Sequence, residues 1–265
     1  MSLPDMRTVV LGYAISNAIC AIVIAFLWLQ NRSRFAGLGF WVTDFVMQFA
    51  GISLIAMRGA IPDFLSIVVG NTLLIGGTLL LFIGLERFTG KIGSQIHNYL
   101  LLVVFTILQT YFAVVQPNQM ARDINIGMGH LIICLQCIWL VVRRIESEVR
   151  SYTRQLWLVF AALSLVSVGY IAVNLIIPPG NNFLQSGVAL TLSVMSYQMA
   201  YIGLTFGLLL LVNRRILVES INDITERKRA ELNLHDLSAR YEAILDTVPD
   251  IIAEVDVNKV YTWVN

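Results

Sequence analysis

Charge is scarce in this sequence. Only 13% of its 265 residues are Asp, Glu, Lys or Arg, roughly half the ~25% of an average soluble domain, and no lysine falls inside any of its long apolar stretches. Without a lysine in a span, retinal has no Schiff-base partner, which excludes a rhodopsin. Proline is confined as well: Pro4, Pro62, Pro117, Pro178, Pro179 and Pro249 all lie outside those stretches. The proline-broken helices that often mark a transporter's midplane site are therefore missing. The three cysteines, Cys20, Cys134 and Cys137, sit within apolar runs, where an ordinary structural disulfide is not expected and no redox compartment can be read. No P-loop, no HExxH and no water-accessible Ser-His-Asp arrangement is present, so the chain offers no catalytic residue.

What the sequence has is apolar surface. Hydrophobic residues make up 57% of the chain, the composition of an integral membrane protein. A hydrocarbon core needs about 20 apolar residues per helix, and such runs occur at 8–30, 36–57, 64–85, 97–116, 124–142, 156–177 and 183–212. The expected fold class is an all-α membrane protein, a seven-transmembrane helix bundle over residues 1–212. The first run lacks a small-residue cleavage signature and reads as a retained helix rather than a signal peptide. Connections are short, so sequential helices are expected to pack as antiparallel neighbours in one bundle.

Where the charges sit gives an orientation. With the segment after Val212 cytoplasmic, the inner loops hold Arg32, Arg34, Arg87, Lys91, Arg143, Arg144, Arg150, Arg154, Arg214 and Arg215, against Arg7, Arg58 and Arg122 outside. That asymmetry satisfies the positive-inside rule with the N-terminus outside. Trp28, Trp41, Trp139 and Trp157 then fall at the inner helix ends, as an interfacial aromatic belt would place them. The chain is expected to be multi-pass, with a cytoplasmic C-terminus.

After Val212 the chain turns polar, and strong helix formers continue without Gly or Pro until Pro249. The spacing predicts one helix running out of the seventh span over 213–248. Leu217, Ile221 and Ile224 are spaced four then three, and Leu234, Leu237, Tyr241, Ile244 and Val248 three, four, three, four, a two-stranded coiled-coil seam in two blocks. Ten residues separate Ile224 from Leu234; this heptad plus three is a stammer, which locally overwinds a coiled coil. The alternative is an amphipathic connector packed on its own domain.

Asp223-Ile-Thr-Glu-Arg-Lys-Arg-Ala-Glu231 resembles the linker that follows PAS cores in bacterial sensor proteins. Tyr241-Glu-Ala-Ile-Leu-Asp-Thr-Val-Pro-Asp250-Ile-Ile is similar to the opening of a PAS domain, with 251–255 and 260–264 as its first two strands around the turn 256–259. The turn residues and β-branched flanks support a hairpin independently. In the family the first motif usually closes a PAS core, whereas here it follows an apolar helix. The resemblance implies a sensor of a bacterial inner (cytoplasmic) membrane whose cytoplasmic PAS module, beginning at 249–265, feeds an output domain, most often a histidine kinase and sometimes a diguanylate cyclase. A hairpin alone is marginal, so the chain is expected to be a fragment that stops at the start of that module. No cofactor is expected within it, and none is specified for the rest of the PAS core. Expected partners are the lipid bilayer, a second copy in a homodimer, an unidentified small molecule and, if the parent is a histidine kinase, a response regulator. Nucleic acid is not among them.

Polar residues inside a bilayer are costly and mark function by default. Counted from the inner ends at ~1.5 Å per residue, Asn17, Gln48, Asn71, Gln109, His130, Tyr170, Tyr197, Gln198 and Tyr201 fall at a similar depth, roughly 16 to 22 Å. Such a layer suits a ligand pocket, or equally a set of interhelical hydrogen bonds. Asp44 is the one acid deep in a span, one turn from Gln48; it reads as a neutral acid bonded between helices, with Gln136 a candidate neighbour, or as a proton-linked switch. His130, Cys134 and Cys137 share a face of the fifth span with ligand types suited to copper, zinc or haem. They lack an obvious fourth ligand, and buried cysteines ordinarily act as small hydrophobes. Gly203 and Gly207 form a small-xxx-small pair that would suit packing against a twin.

The function expected is a transmembrane sensor passing a signal through helix seven and a dimeric coiled coil to the cytoplasmic PAS module. A different class, a small-solute transporter or channel with a regulatory tail, predicts repeat symmetry between the first and last three helices, and none is visible. A third, a mere membrane anchor, has no need of seven helices.

Overall fold

The computed structural model describes residues 5–144, 153, 156–177, 183–185, 187–247, 253–255 and 261–264. The chain divides into two compact units, Met1–Val212 and Asn213–Asn265. Helices α1 (Met6–Asn31) and α2 (Leu38–Ala56) are followed by α3 (Gly70–Phe88), which a π-helical stretch Phe64–Val69 leads into. Next come α4 (Ile96–Thr110) and α5 (Gln119–Trp139), each ending in a π-helical turn, Tyr111–Val115 and Leu140–Arg144. The last two are α6 (Leu156–Ile176) and α7 (Val188–Thr247). Among the described residues, seven helices are long and apolar enough to cross a membrane.

Two helix starts differ from the apolar runs by five residues, and each has a local cause. Helix α5 begins at Gln119 because the Asn118 side chain accepts the Ala121 N–H at 3.0 Å, satisfying an orphan donor of its first turn. Helix α7 begins at Val188: Phe183–Gln185 is a separate 3₁₀ turn, and the Gly187 carbonyl accepts from the Leu190 and Thr191 N–H groups.

Large apolar side chains face outward along these helices, for example Ile15, Phe26, Val103, Ile107, Leu165 and Phe206. Water would not tolerate so wide an apolar surface, and hydrocarbon suits it. Hydroxyls on the spans are mostly satisfied by their own helix: Ser53, Thr106, Ser164 and Thr205 each donate to the carbonyl four residues back. This leaves few unpaired polar groups for lipid to meet.

The closest packing joins α2 and α3, and glycine makes it possible. Gly70, Gly77 and Gly84 recur every seventh residue along one face of α3. A Cβ at Gly77 would lie 2.7 Å from Asp44 Oδ1, and one at Gly84 2.6 Å from the Trp41 ring. Gly37, at φ 94°, enters α2 against the Gly84 carbonyl, where a side chain would meet backbone. Trp41 is consequently wholly enclosed, with its ring 5.2 Å from that of Phe88. It is a core residue and not part of an interfacial belt; of the tryptophans placed there, Trp28, Trp139 and Trp157 keep surface exposure.

The bundle part of α7 touches five other helices. Gln198 donates to Ser16 of α1 at 2.7 Å, and Tyr201 meets Gln48 of α2 at 2.8 Å and Thr78 of α3 at 3.0 Å. Tyr197 stacks on His130 of α5 and donates to Ser167 of α6 at 2.9 Å. Gly207 is covered by Leu156 and Val159 of α6, whereas Gly203 has open space beside it. The small-residue pair therefore serves packing within the bundle at Gly207 and does not form one face for a twin. Helix α4 is peripheral, with only 17% of its apolar window buried.

In the second unit, helix α7 extends to Thr247. Leu217, Ile221, Ile224, Leu234, Leu237, Tyr241 and Ile244 are all exposed along it, while Val248 lies outside the described residues. Strands β1 (Ala253–Val255) and β2 (Tyr261–Val264) pair antiparallel, Ala253 opposite Val264 and Glu254 opposite Trp263, with an irregularity before Val255. The turn 256–259 lies outside the described residues.

Candidate functional site

A cavity of about 80 Å³ opens where α2 ends and α5 begins. Six of the helices line it: Val10 and Tyr13 from α1, Gln48, Ile52 and Ile55 from α2, Asn71 and Leu74 from α3, Ile126 and His130 from α5, Tyr170 from α6, and Val194 and Tyr197 from α7. Arg58, Gln119, Arg122, Asp123 and Phe183 complete the wall at the mouth. The middle of the wall is aliphatic, with polar groups at either end.

The mouth is the more charged end. Gln119 donates to both Asp123 carboxylate oxygens at 2.9 Å and accepts from the Arg122 guanidinium at 2.5 Å, and the Tyr170 hydroxyl faces the same carboxylate. Arg122 and Asp123 are buried although both are ionisable. Arg58, in the α2–α3 connector, lies with its guanidinium 5.4 Å from the centre of the Phe183 ring, and its Nε is buried with no hydrogen-bond partner among the described residues. Burial, and then the like charge of Arg122, push the Arg58 guanidinium below its ordinary pKa, while Asp123 and Asp63 pull it back.

Below the cavity floor lies a second polar group of side chains. The Gln48 amide nitrogen has four oxygens within reach: Asp44 Oδ1 at 3.1 Å, the Leu74 carbonyl at 2.9 Å, Thr78 Oγ1 at 3.2 Å and the Tyr201 hydroxyl at 2.8 Å. An amide carries only two hydrogens for them, so this network has more than one bonded arrangement. Asp44 is wholly enclosed, and its Oδ2 has no hydrogen-bond partner among the described residues. Among them it is Gln48, and not Gln136, that bonds to it.

The polar layer read from the sequence is divided by the fold. Gln48, Asn71, His130, Tyr170 and Tyr197 line the cavity, and Tyr201 lies beneath it on Gln48 and Thr78. Asn17 and Gln198 do not reach it: Asn17 donates to the Tyr13 carbonyl of its own helix, and Gln198 is turned to Ser16. Gln109 of α4 is fully buried but accepts from Asn125 at 3.1 Å, away from the cavity. Among the described residues, no three His, Cys, Asp or Glu side chains assemble a metal-holding group. His130 packs on Tyr197 with Nδ1 3.3 Å from the Ile126 carbonyl, and Cys134 and Cys137 are buried thiols.

Depth counting missed Tyr13, Arg58, Gln119, Arg122 and Asp123. Arg58 and Arg122 were legible only as topology charges. The signal that singles them out is their presence on the side where the positive-inside rule needs no basic residue. No family model, curated protein or solved structure matches the chain. The structure thus gives a seven-helix, multi-span membrane protein with a polar-ended cavity in its bundle.

Proposed function

We propose that this chain is the transmembrane sensor module of a signalling receptor, in which occupancy of the cavity is passed along α7 to a cytoplasmic PAS domain. The observation that carries the reading is the double role of α7. Its Tyr197 lines the cavity and its Tyr201 joins the Gln48 network, and the same helix bears the exposed seam that begins at Leu217. A packed network with alternative hydrogen-bond partners has discrete states, which a ligand with different affinity for each can select. Asp44, held against Gln48, is the proton-linked element of that network in this reading.

In this reading the membrane is a bacterial inner membrane, the cavity mouth faces outside and the seam lies in the cytoplasm, an orientation that the positive-inside asymmetry supports. The exposed seam residues Leu217, Ile221, Ile224, Leu234, Leu237 and Tyr241 call for a second copy, making the module a homodimer. The resemblance of 223–231 and 241–252 to PAS linker and opening motifs supplies the downstream module. Its output is a histidine kinase with a response regulator as partner, or a diguanylate cyclase.

A cavity-filling substitution tests this without a ligand. In the full chain in lipid vesicles, Val194→Trp should change which of Leu217→Cys, Ile221→Cys and Ile224→Cys forms intermolecular disulfides most readily. An unchanged cross-linking pattern in a correctly inserted protein would sink the coupling, and solute uptake by the same vesicles would favour a transporter instead.

A further inference from the structure

We infer that the cavity binds a small monocarboxylate with a short apolar body, its carboxylate held between Arg58 and Arg122; the inference rests on the cavity being the receptor site. Charge comes first. The charged residue types on the wall are Arg58, Arg122 and Asp123, all at its mouth; Asp123 is bonded by Gln119, and Asp63, which acts on both arginines, is exposed and lies off the wall. An anion in the cavity meets both guanidiniums at the mouth and no cation farther in, so one acid group is matched there and a second would not be. Buried charge is expensive unless it is matched, and Arg58 Nε is a buried donor with no hydrogen-bond partner among the described residues. Such an orphan ordinarily signals a missing acceptor. Guanidinium forks match the two oxygens of a carboxylate.

Shape and lining set the rest of the molecule. Beyond the arginines the wall is Ile52, Ile55, Leu74, Ile126 and Val194, which suits a hydrocarbon body and not a polyhydroxylated one. The volume of about 80 Å³ holds some half-dozen water-sized groups at ~10–15 Å³ each. A long acyl chain does not fit within it; an acid of about four to eight non-hydrogen atoms does. At the far end Asn71, Gln48 and His130 leave hydrogen-bonding capacity for one further polar group.

The test uses the full chain in phosphatidylcholine nanodiscs with sodium butyrate as probe and butyramide, its uncharged counterpart of the same size, as control. Butyrate should raise the unfolding temperature in a saturable way and butyramide should not. Arg58→Gln should weaken butyrate about tenfold or more, the size of one lost charge-assisted hydrogen bond; Arg58→Lys should weaken it less, by keeping charge without the fork. Equal stabilisation by butyramide, or an Arg58→Gln protein that binds butyrate normally, would overturn the inference. So would stabilisation that appears only with phosphatidylglycerol in the disc and vanishes in Arg58→Gln, since the anion would then be a lipid headgroup. Butyrate binding that leaves the seam cross-linking pattern unmoved would keep the carboxylate site and refute the sensor reading on which it was built.

Discussion

Gly77 has no side chain because Asp44 occupies the space one would need. A Cβ there would stand 2.7 Å from Asp44 Oδ1 and 3.2 Å from Gln48 Nε2, and the Asp44 contact is nearer than real Cβ atoms come. Gly77→Ala is expected to destabilise the bundle by about 1–3 kcal/mol, the usual range for overpacking a tight interior. Gly203→Ala, with nothing within 4 Å of its Cβ, should leave the unfolding temperature unchanged or raise it slightly. Thermal unfolding of both variants in one detergent checks the contrast; equal effects would show that the α2–α3 contact is looser than described. The Asp44–Gln48 pair was legible in the sequence because residues four apart on a helix are neighbours. Tyr201, which completes their network from 153 positions away, was not legible. Depth along a span can be counted from its end, but facing requires knowing which helices touch.

At the scale of elements, the seven spans could be read because a bilayer imposes both length and apolarity on each. Helix α5 escaped in part: its first turn holds Gln119, Arg122 and Asp123, which look like loop residues until their mutual hydrogen bonds are seen. The heptad of glycines in α3 was present in the sequence as a spacing, and only the facing helix gave it meaning. The long C-terminal part of α7 rests on periodicity of a different kind, an apolar seam whose side chains from Leu217 to Tyr241 are exposed. Replacing Ile221 and Ile224 with Asp should convert the full chain from dimer to monomer in mild detergent, as read by light scattering, while leaving the bundle's unfolding temperature within about a degree. A dimer that survives both substitutions would move the contact to the bundle.

For the whole molecule, the orientation proposed from its charges can be checked with single cysteines. Cys20, Cys134 and Cys137 are all buried, so a membrane-impermeant maleimide should leave the native protein unlabelled. In intact cells Ala60→Cys, in the connector after α2, should be labelled, and Ser94→Cys, in the connector before α4, only after lysis; the reverse pattern would invert the topology and put the arginine-lined mouth inside. The glycine contacts between α2 and α3 bear on the same question of how such a molecule moves. Two helices joined backbone to backbone have little room to slide or turn against each other. Helix α7 meets that pair through side chains, Tyr201 on Gln48 and Thr78 and Tyr201 on Phe45, and side chains can change rotamer where backbones cannot. In the proposed sensor the α2–α3 pair is therefore the stator, and α7, seated on it through side chains, is the rotor.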